Sequence, residues 1–204
     1  ITPLVHEGVM NVPSRSRVQE LPAATGDFIW EYVRRRPDAG DADLPFTQRP
    51  GLARRNIALY GGNLFAGTSA AQLIALDART GSLVWEHQVA DPTLGYRYTS
   101  GPIVVRGKVV AGITGCERYK NDICFISAHD PDTGDELWRT STVARPGDPG
   151  GDTWGDLPLA FRAGADAWIP GSYHPETDLI NWSTAQPKPW ASDQLGTEVA
   201  ALYT

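Results

Sequence analysis

Short runs of alternating hydrophobic and polar residues, about four to eight residues long, extend along most of this chain, a pattern typical of half-buried β-strands. Two such runs meet across a glycine-containing turn at residues 3–12, 55–68 and 101–114. Each of these segments predicts a β-hairpin. Pro, Gly or β-branched residues interrupt every window that could form an amphipathic helix. The pattern therefore predicts an all-β chain.

A ten-residue motif follows each predicted hairpin. Residues 21–30, 76–85 and 129–138 place Thr-Gly at the fifth and sixth positions and Trp at the tenth. Residues 173–182 carry a degenerate copy, with Thr-Asp in place of Thr-Gly. In the form Asp-x-x-Thr-Gly the side chains can accept hydrogen bonds from their own backbone, and Gly tolerates positive φ. We interpret the motif as a turn that leads into a strand ending near Trp.

The spacing of the motif predicts the architecture. Its tryptophans, Trp30, Trp85, Trp138 and Trp182, are 55, 53 and 44 residues apart. Repeats of this length made of short strands are typical of β-propeller blades. Each unit holds a hairpin, a third strand and a Trp-bearing fourth strand. We therefore predict about four antiparallel four-stranded blades with almost no helix.

A propeller must close on itself, because open sheet edges pair with other chains. Residues 195–204 begin what we interpret as a fifth unit. We therefore expect residues 1–204 to be a partial propeller domain, incomplete at both ends. Long loops between the units, at 33–50, 88–98 and 140–167, are where a rigid β scaffold usually carries function.

Composition excludes several functional classes. The net charge is −6 and the one basic run is Arg34-Arg35-Arg36, which argues against a nucleic-acid partner. No apolar run approaches the roughly 20 residues that span a membrane. The motifs GxGxxG, GxSxG, CxxC and the P-loop are missing, so nicotinamide, nucleotide and serine-hydrolase chemistry are unsupported. The four histidines do not form a metal-binding pattern, and we interpret them as surface residues of loops or strands.

The two cysteines, Cys116 and Cys124, flank a predicted loop between two strands. A disulfide between them would stiffen this loop and would require an oxidising compartment such as the periplasm. Two free thiols in a reducing cytosol are the alternative. We favour the disulfide, and the periplasm with it.

The chain resembles the quinoprotein alcohol dehydrogenases, enzymes that use pyrroloquinoline quinone (PQQ). The resemblance lies in the TGxxxW turns, in residues 99–117 (TSGPIVVRGKVVAGITGCE) and in residues 166–190 (DAWIPGSYHPETDLINWSTAQPKPW). It covers essentially the full length and corresponds to the N-terminal half of the family's eight-bladed propeller. Within the family, the chain is most similar to members without the adjacent-cysteine ring of methanol dehydrogenase, since Arg49-Pro50 stands at that place.

The resemblance implies an activity. A family member oxidises an alcohol or sugar-type hydroxyl by hydride transfer to PQQ, with a metal ion polarising the quinone. Electrons then pass to a cytochrome c or quinone acceptor. The family's catalytic aspartate would fall after Thr204, so this chain contains no expected catalytic residue and should be inactive alone.

The resemblance also implies a cofactor site. Trp168 corresponds to the indole beneath the PQQ rings, although it could be an ordinary blade tryptophan. Arg55 corresponds to the arginine on the quinone side, with Arg54 as the alternative and Asn56 in place of a usual glycine. The remaining predicted cofactor contacts are the hydroxyls of Thr99 and Thr114, which could also be ordinary strand residues, and the backbone N–H groups of Gly115 and Cys116.

The predicted metal site departs from the family pattern. Glu117 corresponds to the family's metal-ligating glutamate, with calcium or a lanthanide as the ion, unless it is a surface loop residue. Gln186 stands where the family has a ligating asparagine and is one methylene longer. Asp166 replaces a small hydroxyl residue. An added carboxylate near an anionic cofactor is unfavourable unless it faces away or binds metal.

A rival from another functional class is a cofactor-free propeller, such as an outer-membrane assembly scaffold. Trp168 and Glu117 lie outside the repeat motif and favour the enzyme, whereas Gln186 and Asp166 favour the scaffold. Trp168, Arg55 and Glu117 come from three neighbouring units at separations close to the blade period. We therefore expect them to project from equivalent blade ends toward one axis.

Overall fold

The computed structural model describes residues 3–34, 51–53, 55–117 and 124–188. Regular structure in these ranges is β-strand, apart from three short 3₁₀ turns at Pro92–Leu94, Gly151–Trp154 and Leu159–Phe161. No helix among the described residues is long and apolar enough to cross a membrane. Several sequence features lie outside these ranges: Arg35-Arg36, Arg49-Pro50, Arg54 and residues 195–204.

Three four-stranded antiparallel sheets form the first three blades, and in each the strands follow chain order. The first blade contains β1 (Leu4–His6), β2 (Val9–Pro13), β3 (Arg17–Pro22) and β4 (Trp30–Val33). The second contains β5 (Ala58–Tyr60), β6 (Asn63–Gly67), β7 (Gln72–Asp77) and β8 (Leu83–Gln88). The third contains β9 (Ile103–Val105), β10 (Lys108–Gly112), β11 (Phe125–His129) and β12 (Glu136–Ser141). The predicted hairpins and strand order are confirmed.

The fourth unit differs from the predicted four-stranded blade. Among the described residues it consists of two separate two-stranded ladders. In one, β14 (Ser172–His174) pairs with β15 (Leu179–Asn181); in the other, β13 (Ala163–Gly164) pairs with β16 (Pro187–Lys188). The second ladder brings the chain after Trp182 back beside the long loop that precedes Trp168.

The repeated turn joins one blade to the next. Asp77 Oδ1 accepts hydrogen bonds from the Thr80 N–H and hydroxyl, both at 2.8 Å, and Gly81 closes the turn with a φ of 73°. The ring of Trp30, from the preceding blade, packs directly on Gly81, where a side chain would collide with it. Trp30 Nε1 also donates to the Ala78 carbonyl at 3.1 Å. The motif therefore joins neighbouring blades, because the Trp of one copy packs on the turn of the next copy.

The second and third blades repeat this joint, whereas the fourth turn does not. Trp85 Nε1 donates to the Pro131 carbonyl at 3.0 Å, and its ring lies over Gly134. In the degenerate fourth turn Asp178 takes the glycine position, with a φ of 58°. Trp138, the tryptophan of the third blade, stays 38% exposed. A side chain at the glycine position removes the flat surface that a tryptophan ring needs.

The core lies between neighbouring blades. Val18 and Trp30 of the first blade pack with Leu64 and Ile74 of the second, and a separate cluster joins the second blade to the third. Strand β7 is buried from Leu73 to Leu76 without polar interruption. A central strand that is covered on both faces has no side left for polar residues, which explains this continuous apolar run.

One histidine contradicts the surface interpretation. His129 is fully buried, while His6 and His174 are exposed. His129 Nδ1 lies 3.0 Å from the Gly134 carbonyl, which can only accept, so Nδ1 carries the proton. Nε2 then accepts from the Ser127 hydroxyl at 2.9 Å. Burial lowers the pKa of His129, and the ring is a neutral part of the blade core.

Candidate functional site

The partly exposed Trp168 is the centre of the candidate site. This tryptophan lies between β13 and β14 and is 42% exposed, unlike the buried Trp30 and Trp154. The guanidinium carbon of Arg55, just before β5, lies 4.7 Å from the centroid of the indole ring. This is a cation–π contact. Two residues that are 113 positions apart in sequence and were predicted to converge are thus in contact.

Two predicted hydroxyl residues support the backbone around Trp168. Thr99 Oγ1 donates to the Trp168 carbonyl at 3.2 Å. Thr114 is buried, and its Oγ1 donates to the Arg97 carbonyl at 2.8 Å. Both hydroxyl protons are therefore directed to main-chain oxygens. Their expected role as donors to cofactor carboxylates stays a prediction.

A pair of backbone N–H groups forms an anion-binding nest next to these threonines. Gly115 has a φ of 97°, which turns its N–H and that of Cys116 toward one point. Both N–H groups donate to Asp166 Oδ1, at 2.9 Å and 3.3 Å. Asp166 is buried, with 8% of its surface exposed. The N–H pair that we expected to bind a cofactor carboxylate binds a carboxylate of the chain itself.

The segments around this nest are held closely together. Cys116 and Cys124 form a disulfide with their Cα atoms 5.2 Å apart, and both are buried. The Gly164 N–H donates to the Cys116 carbonyl at 3.0 Å, and the Ala167 N–H donates to the Ile113 carbonyl at 3.1 Å. Asp166 therefore lies on a segment anchored on both sides.

A lysine connects the predicted metal ligand to Asp166. Lys188 Nζ lies 2.7 Å from Glu117 Oε1 and 2.9 Å from Asp166 Oδ2. The side chains of Lys188 and Asp166 are 17% and 11% exposed, and that of Glu117 is 66% exposed. Burial by itself lowers the pKa of Lys188, but the two carboxylates outweigh it and the net effect raises this pKa.

The backbone places Lys188 at this position. In the β13–β16 ladder Lys188 is paired with Ala163, and Pro187 with Gly164. Gly164 has a φ of 103°, and a Cβ atom there would lie 2.8 Å from both the backbone nitrogen of Lys188 and the Cα of Pro187. The close approach of the two strands therefore depends on glycine. Gln186, the predicted second metal ligand, is exposed, and its backbone carbonyl accepts from the Ala165 N–H at 3.3 Å.

Cys116, Cys124 and Asp166 also place ligand-type atoms within 4.8 Å of one another. The two sulfurs are bonded to each other, so they are not the free thiolates that bind metal.

Lys188 is the candidate site residue that sequence reasoning did not single out. The available signal was the misplaced charge of Asp166. A buried carboxylate needs a cationic partner, and Lys188 lies two residues after Gln186, in the segment that the resemblance already places near the site.

Comparisons with known proteins agree with this geometry. A family model described as "PQQ: Glucose/ethanol/alcohol dehydrogenase, beta-propeller domain" matches residues 1–199. The quinoprotein alcohol dehydrogenase PedH of Pseudomonas putida is 37% identical over 210 residues, covering 93% of this chain and 33% of PedH. The quinohemoprotein alcohol dehydrogenase ADH IIB of Pseudomonas putida is 37% identical over 208 residues, covering 93% of this chain and 28% of that protein.

Solved structures show the same relationship. The quinohemoprotein alcohol dehydrogenase ADHIIG of Pseudomonas putida superposes with a TM-score of 0.76 at 31% identity, covering 93% of this chain and 28% of that one. A europium-containing methanol dehydrogenase superposes with a TM-score of 0.73 at 26% identity, covering 94% and 36%. The chain thus spans about a third of the length of the relatives it matches. Since the family model covers nearly the whole chain, the chain belongs to the PQQ-dependent glucose/ethanol/alcohol dehydrogenase family and forms part of its β-propeller domain.

Proposed function

We propose that residues 1–204 are part of the propeller of a PQQ-dependent dehydrogenase, and that the whole protein oxidises an alcohol or sugar-type hydroxyl. The observation that carries this proposal is the partly exposed Trp168, with the Arg55 guanidinium over its ring at 4.7 Å from the centroid. The relatives PedH and ADH IIB, named as quinoprotein and quinohemoprotein alcohol dehydrogenases, support it.

The residues around Trp168 fit a flat, anionic cofactor. A half-exposed indole offers a stacking surface for planar rings, and a guanidinium suits a carboxylate or a polarised oxygen. The N–H pair of Gly115 and Cys116 already binds the Asp166 carboxylate, so its expected contact with a cofactor carboxylate would require Asp166 to move away. PQQ, when bound, supplies the hydride acceptor. The role of this chain is to stack the cofactor, orient it through Arg55 and shield it from water.

The residues around Glu117 do not fit a divalent cation in the arrangement that the structure shows. Lys188 already lies against the Glu117 carboxylate, and the exposed Gln186 side chain is one methylene longer than the family's asparagine. Calcium or a lanthanide at Glu117 would require the Lys188 side chain to move away. The family's metal is therefore the weakest element of the resemblance.

We place the whole protein in the periplasm. The Cys116–Cys124 disulfide supports this location, because disulfides persist in oxidising compartments. The electron acceptor is a cytochrome c or a quinone. Activity requires the full-length protein, which supplies the general base that the family resemblance leaves outside residues 1–204.

The test is reconstitution of the full-length protein with PQQ. We expect dye-linked oxidation of alcohols after PQQ is added, and quenching of tryptophan fluorescence on binding. Trp168→Ala should weaken PQQ binding by about 5- to 150-fold, because stacking on an aromatic ring contributes about 1–3 kcal/mol. Trp138→Ala is the matched control, since Trp138 is similarly exposed but lies on the repeat motif. Equal losses in both variants would count against a stacking role for Trp168.

A second candidate is a cofactor-free propeller that serves as a scaffold. The specific observation in its favour is that ion pairs already join Lys188 to both Asp166 and Glu117 without any ligand. Full-length protein that neither contains PQQ on purification nor binds it at micromolar concentration would establish this alternative.

A further inference from the structure

We propose that Lys188 is a built-in cation that takes the place of the metal ion in this site. Its ammonium group bridges Glu117 and Asp166, so the chain holds neither calcium nor a lanthanide between these carboxylates while Lys188 is in place. That this is the family's metal site rests on the proposed function, whereas the ion pairs of Lys188 with Glu117 and Asp166 are independent of it.

Ion pairing supports this assignment. Two carboxylates lie within 2.9 Å of one ammonium nitrogen, and the Lys188 and Asp166 side chains are both largely buried. A buried charge is tolerated when it is paired, and each of these groups pairs the other. A metal ion at Glu117 would lie within a few ångströms of the ammonium, and like charges at that distance repel strongly in a partly buried site. The metal and the ammonium therefore compete for one position.

The position of Lys188 is fixed by the backbone rather than by a flexible loop. The β13–β16 ladder sets the register of the lysine, and Gly164 allows the two strands to approach closely. Most of the lysine stem is covered, with 17% of the side chain exposed. Moving it aside would break two ion pairs and leave the Asp166 carboxylate buried without a cation.

Asp166 and Lys188 explain each other's presence. Asp166 alone would add a negative charge to a site that binds an anion, and it would occupy the Gly115–Cys116 N–H pair. Lys188 alone would place a positive charge beside a metal ligand. Together they form a neutral pair. Asp166 binds the Gly115–Cys116 N–H pair in place of an external anion, and Lys188 binds Glu117 in place of an external cation. The positive charge that a metal would bring to this part of the site comes from Lys188 instead.

Metal titration of the full-length protein tests this proposal. The protein is first treated with EDTA, and Tb³⁺ is then added while its tryptophan-sensitised luminescence is recorded, with Ca²⁺ competition as a second readout. We expect no saturable Tb³⁺ binding that depends on Glu117 in the wild-type protein. Lys188→Met keeps the apolar stem but removes the charge, and should raise the affinity for Tb³⁺ at least about a hundredfold.

Three further variants make the result specific. Lys188→Arg keeps a cation and should bind no more Tb³⁺ than the wild type. Glu117→Gln combined with Lys188→Met should abolish the gain, which would place the new site at Glu117. Lys108→Met removes an exposed lysine at the start of β10 and should change nothing. Circular dichroism and thermal melting verify that each variant is folded, and Lys188→Gln replaces Lys188→Met if the latter is not.

Two outcomes would overturn the proposal. One is saturable wild-type binding of Tb³⁺ that Glu117→Gln removes. The other is a folded Lys188→Met or Lys188→Gln protein that gains no affinity for the ion. PQQ binding, followed separately by fluorescence quenching, distinguishes this result from a failure of the proposed function. If the protein binds no PQQ but Lys188→Met gains a metal site, the inference about Lys188 stands and the proposed dehydrogenase activity does not.

Discussion

At the scale of single residues, the most consequential position is Asp166, because its carboxylate fills an anion site made by the backbone. It accepts from two main-chain N–H groups and faces the Lys188 ammonium. The sequence showed that a carboxylate at this position is unusual for the family, but it did not show what the carboxylate binds. Its partner Lys188 is placed by the β13–β16 register, and the repeat motif in the sequence does not predict this pairing.

Truncation of Asp166 should therefore destabilise the protein. Asp166→Ala removes the carboxylate that accepts from two buried N–H groups and should lower the free energy of unfolding by about 1–3 kcal/mol in urea titrations. Asp166→Asn retains an acceptor oxygen and should cost less. Asp156→Ala, at an exposed position, is the control. If Asp166→Ala were no worse than Asp156→Ala, the hydrogen bonds to Gly115 and Cys116 would not stabilise the fold.

His129 should make stability depend on pH. Burial lowers its pKa below the ordinary 6.5, so the unfolded chain takes up a proton more readily than the folded one. The stabilising contribution is fully present above pH 6.5 and is lost as the pH falls from there through the lower pKa of the folded state. Urea unfolding at pH 7.5 and pH 5.5 measures this loss, which should be smaller in His129→Gln. His6→Gln, at an exposed position, should keep the wild-type pH dependence.

At the scale of elements, the repeat motif predicted the blades well because it encodes their joints. The turn satisfies its own backbone through Asp77 and Thr80, and its glycine supports the ring of the preceding blade's tryptophan. These interactions are local or lie one blade apart, so a single sequence reveals them. The fourth turn does not form this joint, and it is there that the motif has Asp178 in the glycine position.

Substitution of a turn glycine that contacts a tryptophan ring should lower the free energy of unfolding by more than backbone strain alone does. Gly81→Ala meets the Trp30 ring and also places alanine at a φ of 73°. Gly8→Ala has a similar φ of 78° with nothing within 4 Å, so it isolates the strain. Gly81→Ala should therefore be less stable than Gly8→Ala by about 1–3 kcal/mol in urea unfolding, the usual cost of overpacking. Equal costs would mean that the tryptophan joint adjusts freely.

At the scale of the whole molecule, the candidate site is assembled from five separate stretches of chain. Arg55, Thr99, residues 114–117, residues 164–168 and Lys188 all meet around Trp168 and Asp166. The blade period predicted the convergence of Arg55 and Trp168, which are in contact, whereas the approach of Glu117 to the same axis stays a prediction. It could not predict which charges would pair, because a difference of a few ångströms decides whether a carboxylate binds a metal, a cofactor or a lysine.

Ring closure in the full-length protein gives the last prediction. The first-blade turn at Gly26 has a φ of 74°, like Gly81, but a side chain there would meet nothing within 4 Å among the described residues. In a closed propeller the first blade also has a neighbour on this side, and we expect Gly26, like Gly81 and Gly134, to receive a tryptophan from the blade that closes the ring. Gly26→Ala in the full-length protein should then lower the free energy of unfolding as much as Gly81→Ala does. A loss no larger than that of Gly8→Ala would show that the ring closes without this joint.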